Sequence, residues 1–170
     1  RCRDLSNVLI ACDNISGFDT SERFDIITLI GVLEYAPLFI NGSNPQVELL
    51  RHARTMLKEY GVVLLAIENQ LGLKYLNGRS EDHTGIPFFG VHGLYSDSTP
   101  VTCGKNELES ILRQAGFEHI DFHYPFPDYK LPNVILSDEG ANHQNFNASE
   151  LLYRSESRDY VTERPSWFRE

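Results

Sequence analysis

Sulfur and positive charge are both scarce in this chain. The three cysteines, Cys2, Cys12 and Cys103, are odd in number and widely spaced, and no CxxC pair occurs. That argues against a disulfide framework or a zinc site and fits reduced, buried thiols in a cytosolic compartment. Lys and Arg number 15 against 24 Asp and Glu, a net charge of -9, with a pI near 5.1. A protein that binds nucleic-acid phosphates usually presents a basic face, so no nucleic-acid partner is expected. No apolar run reaches the length of a membrane span, no signal-peptide pattern is present, and no internal repeat is visible. Three matches to the glycosylation acceptor pattern, at Asn14, Asn41 and Asn147, carry little weight in a cytosolic protein.

What remains is an ordinary globular composition. At 170 residues, 41% hydrophobic and 23% charged, the chain suffices for one core, and one domain is expected. It opens on Arg1, and residues 1–7 read like the last turn of a helix with a basic end and an Asn stop, implying sequence upstream. Residues 8–12 then read as a short buried strand that ends at a polar tip, Asp13-Asn14-Ile15. Asp13 is either a turn former bonded to its own backbone or a ligand contact.

The central feature is the apolar run from Phe24 to Ile30, which lacks alternation, as in a parallel strand buried on both faces. Gly31 permits an unusual backbone angle beyond it, and Glu34-Tyr35 place a carboxylate and a phenol where the chain leaves the sheet. After a broken loop, Pro45 opens a helix predicted over 45–58, with Gly61 as its stop and His52 on its surface. A second buried strand, 62–67, ends on Glu68-Asn69. Two strands joined by one helix run parallel, so both acidic tips are expected at one sheet edge, where α/β ligands bind.

Residues 70–102 are rich in glycine and aromatics, a combination that favours a functional lid over a solvated linker. Within it, His83 beside Glu81 and Asp82 is a base or substrate contact, a metal ligand, or a histidine satisfied by its neighbours, and no second ligand spacing supports a metal. A helix over 106–115 is capped by Gly116. Strands over 117–124 and 131–137, joined by the turn Pro125-Phe126-Pro127-Asp128-Tyr129, should form an antiparallel edge hairpin. Residues 138–170 read as a polar extension with a short helix at 150–153.

Taken together, the Asp-Asn tip, Phe24-Asp25, Gly31-Val32-Leu33-Glu34-Tyr35, Glu68-Asn69, Gly104-Lys105-Asn106-Glu107-Leu108 and Ala115-Gly116-Phe117 resemble the later two-thirds of a Rossmann-like S-adenosylmethionine-dependent methyltransferase. More narrowly, Ile67-Glu68-Asn69-Gln70-Leu71-Gly72-Leu73-Lys74-Tyr75 and Glu81-Asp82-His83-Thr84-Gly85 resemble methyltransferase domains fused to glycosyltransferases in bacterial surface-polysaccharide synthesis. The resemblance covers about residues 1–137. It implies a mostly parallel α/β sheet flanked by helices, S-adenosylmethionine as cofactor, and a saccharide or other small polar acceptor.

By residue, the resemblance assigns Asp13, Asn14, Ile15, Leu29 and Gly31 to the cofactor. It leaves Glu34, Glu68 and His83 as candidates for orientation or proton removal, although Glu34 also reads as a helix-start carboxylate favoured by the helix dipole. Tyr35, Asn69, Lys74, Tyr75 and His92 are the candidate acceptor contacts. The family's glycine loop and ribose-binding acid are missing, so this polypeptide alone is expected to bind the cofactor poorly. A silent binding or scaffold module is the alternative. The missing strands would fall between 8–12 and β-strand Phe24–Ile30, so either these two pair directly or the second offers an open edge to another chain, a homo-oligomer included.

Overall fold

The structure is a computed structural model that describes residues 4–147 and 149–150. It is a mixed α/β protein with two small sheets, one parallel and one antiparallel. Strands β1 (Phe24–Ile30) and β2 (Leu57–Ala66) pair in parallel, with Ile26 opposite Val62 and Ile30 opposite Ala66. Between them the chain forms a 3-10 turn, Leu33–Tyr35, and helices α1 (Ala36–Phe39) and α2 (Pro45–Thr55). After β2 come the one-turn helix α3 (Leu73–Leu76), a long irregular stretch, and α4 (Lys105–Gln114). The chain then forms the hairpin β3 (His123–Phe126) and β4 (Val134–Ser137), followed by α5 (Asp138–Asn142).

Helix α2 forms where expected because Pro45 sits in its first turn with no hydrogen bond to lose, and Val47, Leu49, Leu50 and Ala53 all go into the core. It ends three residues earlier than the apolar spacing predicts. Met56 caps it, and Leu57 already belongs to β2, so Gly61 lies inside a strand instead of stopping a helix. The ladder jumps there from Phe24 opposite Leu57 to Ile26 opposite Val62. A Cβ on Gly61 would stand 2.8 Å from the Phe24 carbonyl oxygen, so the irregularity needs a residue without a side chain.

The core joins Leu29 of β1 to Leu33, Ala36, Val47, Leu50 and Ala53, and to Ile111, Leu112 and Ala115 at α4 and its end. Ile27, Val63 and Leu65 pack against it from the sheet. The expectation that β1 is buried on both faces is corrected here. Side chains alternate across a strand, and the helices of the core cover only the face that carries Ile27 and Leu29, leaving Ile26, Ile30, Val62 and Leu64 exposed on the other.

A second correction concerns residues 8–12. They form no strand and pair with none among the described residues, and Leu9 and Ile10 are exposed. An apolar run becomes a strand only when a neighbour takes its backbone groups, and none stands beside it. Of the two arrangements expected for β1, the described residues therefore show the unpaired edge. The tip residues 13–17 form a turn instead, tied to α2 by a 2.7 Å hydrogen bond between His52 Nε2 and the Phe18 carbonyl, so His52 is half-buried.

The hairpin exists, but it is its own sheet and not an edge of the parallel one. Residues 117–122, expected in its first strand, are irregular, because Phe117 and Ile120 turn aside to pack on the core. Pro125 and Phe126, expected in the turn, belong to β3. The polar stretch after 137 begins with α5, where Ser137 Oγ accepts from Gly140 N at 3.0 Å. The helix expected at 150–153 lies, beyond Glu150, outside the described residues. No helix among the described residues is long and apolar enough to cross a membrane.

Candidate functional site

Because β1 and β2 run parallel, the residues that follow them emerge at the same end of the sheet. Gly31 N–H continues the ladder to the Ala66 carbonyl at 2.9 Å, and its φ of 63° then turns the chain into the 3-10 segment. Leu33 anchors that segment in the core and leaves Glu34 pointing inward, 1% exposed. Its backbone is pinned by Val101 N–H to the Glu34 carbonyl at 2.8 Å. Two residues past β2, Glu68 is 5% exposed.

The long loop returns to this end. Glu81, 3% exposed, accepts the backbone N–H groups of His83 and Thr84 on Oε2 at 2.9 and 2.8 Å, a carboxylate-capped turn that aims the His83 ring. His83 Nδ1 lies 3.0 Å from the Tyr35 hydroxyl, and the two rings meet edge to face. Its Nε2 is 3.9 Å from Glu68 Oε2 and 3.9 Å from Glu81 Oε1. When Tyr35 donates to Nδ1, Nε2 carries the proton toward the carboxylates; when Nδ1–H donates to Tyr35, Nε2 is a free base.

The other carboxylate oxygen of Glu68 is engaged from the hairpin connection. Tyr129 donates to Glu68 Oε1 at 3.2 Å, and Lys130 Nζ sits 3.1 Å from the same atom and 3.6 Å from Asp82, which is itself paired with Lys74 at 2.7 Å. Among the described residues six buried side-chain atoms have no hydrogen-bond partner, and four of them, Glu34 Oε2, Glu68 Oε2, Glu81 Oε1 and His83 Nε2, lie in this cluster, the others being the Tyr75 hydroxyl and Asn77 Oδ1. Each such buried polar atom costs about 1–3 kcal/mol. Their concentration at one end of the sheet makes the cluster the candidate site.

Burial pushes the Glu34 carboxyl above its ordinary value, with the charge of Glu68 adding to the effect, while its own backbone bond, His83 and Lys130 oppose. Burial also raises the Tyr35 and Tyr129 phenols, both facing Glu68. Burial works against the Lys130 ammonium, but its hydrogen bond to Glu68 and the charges of Glu68 and Asp82 outweigh this and hold it above the ordinary value.

The candidate residues divide clearly. Glu34, Glu68 and His83 are brought together, Tyr35 orients His83, and Gly31 backs the cluster, its missing Cβ lying 3.0 Å from the Tyr129 hydroxyl. Tyr75 is buried next to the charges of Asp82, Glu68 and Glu81, and Lys74 reaches the site through Asp82. Asn69 is exposed, its Oδ1 accepting Leu71 N–H, and His92 is exposed and stacked on Phe88. Asp13 and Asn14 are exposed and cap their own turn, Asp13 Oδ1 accepting from Asn14 N–H and Asn14 Oδ1 from Ser16 N–H. Ile15 packs on the core and Leu29 is inside it.

Three participants, Glu81, Tyr129 and Lys130, were not among the candidate site residues, although Glu81 stands beside His83 in the motif quoted for the resemblance. Glu81 carries a signal, a carboxylate two residues before a histidine and followed by a Thr-Gly turn. Tyr129 comes from 61 residues beyond Glu68, and nothing local marks it.

No family model, curated protein or solved structure matches this chain. The five residues that the resemblance gives to S-adenosylmethionine do not surround one cavity: two are in an exposed turn, Ile15 and Leu29 contribute to the core, and Gly31 is covered by Tyr129 and Glu34. The described residues do not by themselves fit that cofactor.

Proposed function

We propose that this chain carries the acceptor side of a methyltransferase, the buried cluster of Glu34, Glu68 and His83 taking the proton from a hydroxyl of a saccharide or other small polar acceptor. The observation that carries this reading is the convergence of these three groups, with unpaired oxygens and nitrogen, at the C-terminal ends of two parallel strands. S-Adenosylmethionine as methyl donor and a glycosyltransferase fused elsewhere in the protein come from the sequence resemblance alone, and a cytoplasmic setting from the odd, widely spaced cysteines.

The chemistry follows from the distances. Glu68 Oε2 and His83 Nε2 are 3.9 Å apart, a separation that one hydroxyl bridges, and both are closed to solvent, so the loop that carries His83 has to give way for an acceptor to enter. His83 held by Tyr35 is the positioned base, and Glu68, steadied on Oε1 by Tyr129 and Lys130, orients the hydroxyl and stabilises the imidazolium that forms. Glu34, whose proton affinity burial raises, lies beside them as a further hydrogen-bonding group for the acceptor. Holding a reactant in this way accounts for most of what a displacement at a methyl carbon needs from a protein.

A second reading, a silent α/β binding module, is favoured by the exposed apolar face of Ile26, Ile30, Val62 and Leu64. Equilibrium dialysis of labelled S-adenosylmethionine, followed by methyl transfer to a saccharide panel, tests both readings on this chain and on one extended at its N-terminus. Transfer that is lost in His83→Gln supports the methyltransferase. Absence of cofactor binding by either chain removes it in favour of the module.

A further inference from the structure

The geometry points to a binding site for a first-row divalent cation, of the Mn2+ or Zn2+ class, held by Glu34, Glu68 and His83, with Glu81 beside them. One ligand atom from each of the three lies within 4.8 Å of the others. A cation with bonds of about 2.0–2.2 Å sets its neighbouring ligands about 3–3.5 Å apart, so the three atoms need to close by an ångström or so. Glutamate side chains have the torsional freedom to do that.

The second observation is independent of the acidic cluster as such. Glu34 Oε2, Glu68 Oε2, Glu81 Oε1 and His83 Nε2 are all unpartnered, and the His83 side chain is only 10% exposed. A proton shared between Glu34 and Glu68 satisfies those two oxygens and leaves Glu81 Oε1 and the His83 nitrogen as they are. A single cation serves Glu34, Glu68 and His83 together, with Glu81 Oε1 standing 3.9 Å from the His83 nitrogen.

The surrounding bonds are those a metal ligand requires. His83 is fixed through its other ring nitrogen by Tyr35, the outer-shell contact that sets which nitrogen faces a metal. Glu68 has one oxygen committed to Tyr129 and Lys130, which leaves the other to coordinate. Glu81 likewise spends Oε2 on two backbone N–H groups and keeps Oε1 facing His83. Oxygen donors with a single imidazole match Mn2+ and Zn2+, whereas Mg2+ prefers oxygen and water alone. A cation here lowers the proton affinity of a bound water or acceptor hydroxyl, a use that does not depend on which group is transferred.

The test uses the chain stripped with EDTA and titrated with Mn2+ while the free-ion EPR signal is followed. One Mn2+ is expected per chain, displaced by equimolar Zn2+ and not by equimolar Mg2+. Glu34→Gln and His83→Gln are expected to weaken binding at least tenfold with unchanged circular dichroism, and Tyr35→Phe by about tenfold. Should either Gln variant lose its fold, Glu68→Asp, which withdraws the carboxylate by one methylene, carries the same expectation. No saturable binding up to millimolar Mn2+, several equal weak sites, or variants that bind like the parent each overturn the assignment. The titration contains neither methyl donor nor acceptor, so its failure leaves the methyltransferase reading with His83 as base standing, whereas a cation found on His83 Nε2 takes that nitrogen out of the base role and leaves it the part of a ligand.

Discussion

Replacing Gly31 by Ala tests whether the backbone turn at the end of β1 and the buried cluster are one construction. At a φ of 63° an L side chain costs about 1–2 kcal/mol, of which about 0.5–1 is returned because Ala restricts the unfolded chain more than Gly does. The new Cβ also stands 3.0 Å from the Tyr129 hydroxyl and 3.5 Å from Glu34 Oε1. Tyr129 must give way by a few tenths of an ångström, stretching its 3.2 Å bond to Glu68, and losing about half of a hydrogen bond to a charged group adds about 1 kcal/mol. The expected sum is a loss of about 1–2 kcal/mol, read from urea unfolding followed by far-ultraviolet circular dichroism. In a Tyr129→Phe background the contact is gone, and Gly31→Ala should cost only the backbone part. A cost below about 0.3 kcal/mol, or one undiminished by Tyr129→Phe, refutes the coupling between the turn and the cluster.

Two further outcomes follow from burial and charge. Burial pushes the Cys103 thiol up to about 12, whereas Cys12 is exposed, so a thiol reagent at neutral pH should label Cys12 quickly and reach Cys103 only on unfolding, as mapped by peptide mass spectrometry. Asp138 accepts from Lys105 at 2.6 Å and from Tyr124, and these bonds hold its carboxyl below the usual carboxylate range. A lowered folded value means stability that is present above the unfolded carboxylate range and lost as pH falls through the folded one. Asp138→Asn should therefore flatten the acid limb of a melting-temperature profile below pH 4 and leave the rest of the profile parallel to the parent.

Much of this chain's local structure is legible in its sequence. The apolar run at 24–30, Pro45 opening a helix, the acid-first, base-last helix at Lys105–Gln114 and the hairpin across Pro125 to Val134 are all marked by neighbours in sequence, and local torsional preference with side-chain spacing settles such elements. From two parallel strands it followed that Glu34 and Glu68 share an end of the sheet, and they do. Tertiary structure alone decided the rest. Residues 8–12 have the composition of a strand and no partner, and β1 has the composition of a doubly buried strand with one face open, because pairing and burial belong to what stands alongside and not to the residues themselves. For the same reason Glu81, Tyr129 and Lys130 joined the site unannounced: their contacts with His83 and Glu68 are made by loops returning through space, and no periodicity in the sequence records where a loop comes back.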